Sequence, residues 1–313
     1  MFQIYRFGQF IVAVALFAGC ATAQSDGTES VERCSLDIML TNDDGWNAPG
    51  IQTVRGALLA AGHQVTLVGP LEQQSGRGGA MNTHFGVEVG VVEQSPGVWS
   101  VDGTPTDAVR AGLDVILNDD WPDLVVSGSN FGPNLGQEGV HTSGTLGATL
   151  AAHYDGLPAI AVSTGIDVAE SETTPPFKST FEGFEVSAAI VVNMIDSMTA
   201  RYGCDDIMPG DLAININVPV PVDAIKGIRY APLSKLNAFR LQWERSEDDG
   251  KVRIGYRPTD PSLRSPGDDV ALFSAGYVTV TPIDGDVTIE AFPASIGLPE
   301  RLTGLLPAGQ AAQ

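Results

Sequence analysis

The chain has 313 residues, 43% hydrophobic and 18% charged, with 17 Lys and Arg against 38 Asp and Glu and a formal net charge of -21. This is enough apolar material for one large α/β domain, or a domain with a smaller annex, and it excludes a disordered or fibrous chain. The acidic excess argues against nucleic-acid polymers and anionic lipid surfaces as partners, because both reward clustered Lys and Arg; an anionic substrate would need a cation in its site.

At the N-terminus, Arg6 precedes an apolar run from Phe10 to Ala18, and Ala21-Thr22-Ala23 supplies small residues at the positions a signal peptidase reads. Residues 1–23 are expected to be a signal peptide, and the mature protein to be exported, periplasmic or secreted. The run falls short of the roughly 20 residues that span a bilayer, so no transmembrane span is expected. Leu16-Phe17-Ala18-Gly19-Cys20 resembles a lipobox, which keeps a lipid anchor at Cys20 as an alternative. Cleavage at Ala23 would leave Cys34 and Cys204 as the two remaining cysteines. An oxidising compartment permits a disulfide between them; two unpaired thiols are the other reading. Residues 24–35 are polar and read as a disordered mature terminus.

The folded part starts near Leu36. Asp37 to Thr41 is a short apolar run that stops at Asn42-Asp43-Asp44-Gly45, and Ile51 to Ala61 then carries apolar residues at helical spacing. Strand, loop and helix recur: Gln64 to Val68 ends at Gly69-Pro70, and Leu124 to Val126 ends at Ser127-Gly128-Ser129-Asn130. Val87 to Val101 reads as a hairpin, Thr106 to Leu117 as a helix, Ala159 to Ser163 as a buried strand and Phe184 to Met198 as an amphipathic helix. These apolar runs are too continuous for half-exposed strands. They predict a doubly wound, mostly parallel, Rossmann-like sheet over residues 36–203, whose carboxyl-end loops gather at one rim. After Cys204 the texture becomes β-rich, with Ala213 to Val218 and Tyr277 to Thr281 as strands. This gives an expected annex and oligomerisation segment over 204–295, and a tail over 296–313.

The polar loops carry the chemistry. Asp43 and Asp44, adjacent at a strand end, would repel one another unless a divalent cation neutralised them; a plain Asx turn closed by Gly45 is the competing reading. Asn130 offers a neutral oxygen ligand or holds its own turn, and Ser75 adds a hydroxyl at the same rim. Ser143, Gly144 and Thr145 open the apolar run Leu146 to Tyr154, so free N-H groups and hydroxyls would form a phosphate seat, or an ordinary cap, at a helix N-terminus. Gly103-Thr104-Pro105-Thr106-Asp107 is read as capping. Among His63, His84, His141 and His153, only His141 lies beside the proposed seat. The chain has no G-x-S-x-G elbow, H-E-x-x-H or Walker-type loop, and no dinucleotide fingerprint after the first strand.

Leu40-Thr41-Asn42-Asp43-Asp44-Gly45 with Ala48-Pro49-Gly50-Ile51 resembles the N-terminal signature of the SurE family of 5′-nucleotidases. Further matches follow in order: Ser75-Gly76, Gly103 to Asp107, Ser127 to Gly136, Ser143 to Thr145, Ile214 to Pro219, and Gly276-Tyr277-Val278. The resemblance spans Leu36 to Ile289. It implies that Asp43, Asp44, Ser75 and Asn130 ligate one divalent cation per subunit, Mg2+ or Mn2+, with Asp43 and Asp44 catalytic. It further implies that Asn42, Ser143, Gly144 and Thr145 lie near the phosphate. The implied reaction is metal-dependent hydrolysis of nucleoside 5′-monophosphates and short polyphosphate. The implied assembly is a homodimer or homotetramer that exchanges C-terminal segments. Phe131, where a small residue is common, and the exported leader depart from the family pattern. Two other readings stand beside it: an exported binding protein for a phosphate ester, without turnover, and a hydrolase of a different ester or glycosidic bond.

Overall fold

A computed structural model describes residues 34–287, apart from 119, 209–211, 238, 248–249, 261 and 263. The expected signal peptide, Cys20, most of the polar terminus, the end of the annex from 288 and the tail lie outside the described residues. No helix among the described residues is long and apolar enough to cross a membrane.

The chain runs β1 (Asp37–Thr41), α1 (Pro49–Ala60), β2 (Gln64–Pro70), β3 (Val91–Ser95), β4 (Val98–Val101), α2 (Pro105–Ala111), β5 (Leu124–Phe131), α3 (Gly136–Thr142), α4 (Gly144–Tyr154), β6 (Ala159–Thr164), α5 (Lys178–Tyr202), β7 (Ala213–Val218), β8 (Ile228–Tyr230), β9 (Phe239–Arg245), β10 (Val252–Pro258), α6 (Asp269–Ser274) and β11 (Val278–Ile283). Nine strands form one sheet in the order β3-β4-β2-β1-β5-β6-β7-β11-β8. From β4 to β7 every neighbour is parallel. β3 closes one edge antiparallel as the expected hairpin with β4, and β11 returns antiparallel onto β7. This is the Rossmann-like α/β arrangement expected from the alternating strands and helices.

Residue parity along the strands sorts the core into two layers. Ile38 and Leu40 of β1 join Leu67, Val126 and Ile160 under α1 and α5. Met39, one residue out of phase, joins Val68, Val125 and Ala159 under α2 and α4. Each such fully buried aliphatic side chain contributes about 1.5–3 kcal/mol. α4 reaches the sheet closely because its inner face is small: Gly147, Ala148, Ala151 and Ala152. A Cβ on Gly147 would lie 2.0 Å from the Gly78 carbonyl oxygen, so only glycine admits the loop after β2 there.

The region after Cys204 divides. β7, β8 and β11 complete the main sheet, while β9 and β10 form a separate antiparallel hairpin. Cys34 and Cys204 are joined in a disulfide with Cα atoms 5.5 Å apart, which ties the residues before β1 to the end of α5.

From β1 the sheet grows one way through β2 and β4 and the other way through β5 and β6. The reversal lies between β1 and β5, and a crevice opens outside the carboxyl ends of strands at such a point.

Candidate active site

The loops at that reversal carry the predicted residues. β1 delivers Asn42, Asp43 and Asp44, and β5 delivers Asn130 beside them. Asp43 is 2% exposed. Its Oδ1 accepts the Thr145 hydroxyl at 2.6 Å. Burial is the main cause that pushes its carboxyl up to about 6, with the neighbouring Asp44 charge adding to it and the hydrogen bonds from Thr145 opposing it. Asp44 is half-buried and accepts the Phe131 main-chain N-H on Oδ2 at 2.8 Å. Burial again raises its pKa, against that bond. Two adjacent carboxylates withdrawn from water, with no ion pair to either among the described residues, are costly as a bare pair and call for a cation.

Asn130 fits that demand. Its amide nitrogen is committed to the Gly132 carbonyl at 2.6 Å, while its buried Oδ1 has no hydrogen-bond partner among the described residues. An unpartnered neutral oxygen beside two carboxylates is a hard-cation donor set. Among the described residues no group of three or more His, Cys, Asp or Glu side chains could hold a metal, so a cation here would rest on two carboxylates and neutral oxygens.

Ser75 is less committed to the site. It is exposed, and its hydroxyl oxygen accepts from Gln73 Nε2 at 2.5 Å. Its loop is nevertheless tied down, because the Gln74 N-H donates to the Asp43 carbonyl at 2.7 Å and the Gly78 N-H to the Thr142 carbonyl at 3.0 Å. Asn42 is fully buried; its amide nitrogen donates to the Gly45 carbonyl at 2.9 Å and its Oδ1 has no partner.

The proposed phosphate seat has a second occupant. Ser143 caps α4, its hydroxyl accepting the Leu146 N-H at 3.2 Å. Thr145 points at Asp43, and a Cβ on Gly144 would lie 2.9 Å from Asp43 Oδ2. The positive end of α4 therefore already faces the Asp43 carboxylate, stabilising a negative charge there. The Gly103–Asp107 loop is a cap as read: Thr104 and Asp107 form a reciprocal capping box on α2. His141 is exposed next to the seat, His63 accepts the Leu36 N-H on Nδ1, and His153 meets the Asp284 carbonyl at 2.7 Å.

A buried amide network was not foreseen. Asn134 Nδ2 donates to Thr145 Oγ1 at 3.3 Å and to Ser163 Oγ at 2.9 Å. The Asn134 N-H donates to Asn217 Oδ1 at 2.7 Å, and its carbonyl accepts from Asn215 and Asn217 at 2.9 and 3.1 Å. β7 thus supports the Thr145 that supports Asp43. The signal was present as two Asn at alternate positions of an otherwise apolar strand.

The family described as Survival protein SurE matches residues 38–239, more than half of the chain. The chain belongs to the SurE family. Among its SurE relatives, the 5′-nucleotidase SurE of Gloeobacter violaceus is 33% identical over 262 residues, covering 82% of this chain and 92% of the relative. The 5′-nucleotidase SurE of Synechococcus elongatus is 32% identical over 264 residues, covering 81% and 95%. That of Nitratidesulfovibrio vulgaris is 34% identical over 261 residues, covering 80% and 87%. The crystal structure of the SurE protein from Aquifex aeolicus superposes with a TM-score of 0.67 at 29% identity, covering 84% of this chain and 99% of that one.

Proposed function

We propose that this SurE-family chain, a 5′-nucleotidase, hydrolyses nucleoside 5′-monophosphates to nucleoside and phosphate with one divalent cation per subunit, Mg2+ or Mn2+, held by Asp43, Asp44, Asn130 and Ser75. The observation that carries the reading is the buried Asp43–Asp44 pair set beside the unpartnered Asn130 Oδ1 at the sheet's reversal point. Such a cation supplies Lewis-acid polarisation of a phosphoryl oxygen and acidifies a water.

The protein's own residues do the positioning. Thr145 fixes one Asp43 oxygen, and the Phe131 N-H fixes one Asp44 oxygen, so the pair is set before substrate arrives. Ser143 holds the first turn of α4 in place, which aims that helix end at the phosphate as well as at Asp43. In the overall reaction, water adds to phosphorus and the bond to the nucleoside O5′ breaks. One water proton ends on O5′ and the hydroxyl on phosphate, with no covalent phosphoenzyme. Short polyphosphate presents the same terminal phosphoryl group and is a second substrate in this reading.

Export fits the disulfide, which persists in oxidising compartments. Assembly as a homodimer or homotetramer fits the exposed apolar residues Leu241, Trp243 and Ile254 on the β9–β10 hairpin, a surface that a second subunit could cover. The test is phosphate release from nucleoside monophosphates, p-nitrophenyl phosphate and short polyphosphate with Mn2+, with Mg2+ and with chelator. Release that chelator abolishes is expected. Release that persists in chelator would overturn the metal reading, and silence across the panel would favour a binding protein.

A further inference from the structure

Four phenylalanines converge on the carboxyl end of β5. The Phe131 ring lies 5.3 Å from Phe177, edge-on, 6.1 Å from Phe181 and 6.4 Å from Phe184, and Phe181 meets Phe184 at 5.8 Å. Phe184 is buried at 2% exposure and roots the cluster in the core, whereas Phe181 keeps 44% of its surface in water. Phe131 and Phe177 are half-buried. Core aromatics are normally covered, so an open cluster at the rim of a ligand crevice asks for an occupant.

The local backbone is built to present these rings. Phe177 sits at φ 52°, a left-handed conformation that a side-chain-bearing residue adopts only when its surroundings hold it there. The surroundings enforce it. The Phe177 N-H donates to the Glu170 carbonyl at 3.2 Å, while the Glu170 carboxylate accepts both the N-H and the hydroxyl of Ser179 at 2.8 Å. This brace fixes the first turn of α5, which carries Phe181.

The position names the occupant. Phe131 directly follows Asn130, and its N-H holds the Asp44 carboxylate at 2.8 Å. A molecule whose phosphate lies at the Asp43–Asp44 pair and whose far end is a flat, uncharged ring would lay that ring against these phenylalanines.

We propose that Phe131, Phe177 and Phe181 form a stacking platform for the base of a nucleoside 5′-monophosphate, making the site selective for nucleotides over phosphate esters without a base. This rests on the nucleotidase reading of the adjoining carboxylates. Stacking on an aromatic side chain tolerates any base, since each has a π-face, so the platform confers a preference for nucleotides as a class.

The experiment compares kcat/KM for AMP and for ribose 5-phosphate in the Mn2+-loaded protein and in Phe181→Ala, Phe131→Ala and Phe181→Trp. The ratio of the two is independent of how much of each variant is correctly folded. The ratio is expected to fall roughly 5- to 100-fold in the alanine variants, the range that loss of one base–aromatic stack produces, and to recover in Phe181→Trp. An unchanged ratio overturns the platform, including the case in which Phe181→Ala changes only the oligomeric state, which would assign the patch to a second copy. Should the wild type hydrolyse neither substrate, the nucleotidase reading fails and the platform is judged by equilibrium binding. Preferential AMP binding that Phe181→Ala removes would uphold it; equal binding of the two, or no binding of either, would overturn it.

Discussion

Replacing Asp43 with Asn separates the cost of the buried carboxylate from its use. The Asp43 carboxyl is pushed from 3.8 to about 6. At ~1.4 kcal/mol for each tenfold change in proton affinity, the ionised form costs the metal-free protein about 3 kcal/mol at neutral pH. Because the folded-state pKa lies above the unfolded one, the protein is free of this cost below pH 3.8 and bears it in full once pH has risen through about 6. Asn keeps the shape and an oxygen for the Thr145 hydroxyl, and it carries no charge. In chelator at neutral pH, Asp43→Asn should therefore melt above the wild type. At roughly 2–4 °C per kcal/mol the rise is of the order of 5 °C or more, and it should vanish as pH approaches 4. Added Mn2+ should raise the wild-type melting temperature and leave the variant unmoved, and metal-dependent turnover should be abolished. Thermal melts across this pH range, with and without Mn2+, provide the assay. A variant that melts at or below the wild type in chelator at neutral pH would refute the claim that Asp43 is held ionised at a cost which a cation offsets.

Two further outcomes follow from buried contacts. Asn217→Leu strips the Asn134 N-H of its acceptor, which should cost roughly 1–3 kcal/mol and loosen Thr145 against Asp43; Asn215→Ala should cost less, because Asn217 Nδ2 still serves the same carbonyl, and paired thermal melts read the difference. Reduction of the Cys34–Cys204 disulfide, which spans a sequence separation of 170 residues, should lower stability by about 2–4 kcal/mol, and the unreduced protein should carry no free thiol at these positions on alkylation.

The legible part of the fold was the part where one physical signal dominated. β6 is buried throughout, and β1 and the second half of β2 are buried on both faces, so they read as short apolar runs, and the Asn42–Gly45 loop stood out because two carboxylates closed such a run. β5 was longer than it read. It continues through Gly128 and Asn130 to Phe131, because a bulge against β6 lets polar residues extend the pairing, and a Cβ on Gly128 would lie 2.1 Å from the Val162 carbonyl oxygen. α3 was missed because Gly136 and Gly139 resemble loop chemistry; the helix is held from outside, where Asp269 accepts the Gly136 N-H at 2.7 Å. The same limit applied at the site. Asp43, Asp44, Asn130 and Thr145 were singled out through their own loops, whereas Asn134 is held by Asn215 and Asn217 across separations of more than 80 residues that no local pattern records.

The disulfide also changes what a protease can do to this chain. Every strand from β1 to β6, and each loop that bears an acidic, amide or hydroxyl group of the site, lies between Cys34 and Cys204. A single cut anywhere in that span leaves two pieces joined through sulfur, and the nicked molecule can rejoin its halves as a unimolecular event instead of losing one of them to dilution. The crosslink holds both pieces of a once-cut chain at high effective concentration, so the fold can reassemble around the break although the peptide bond stays cut.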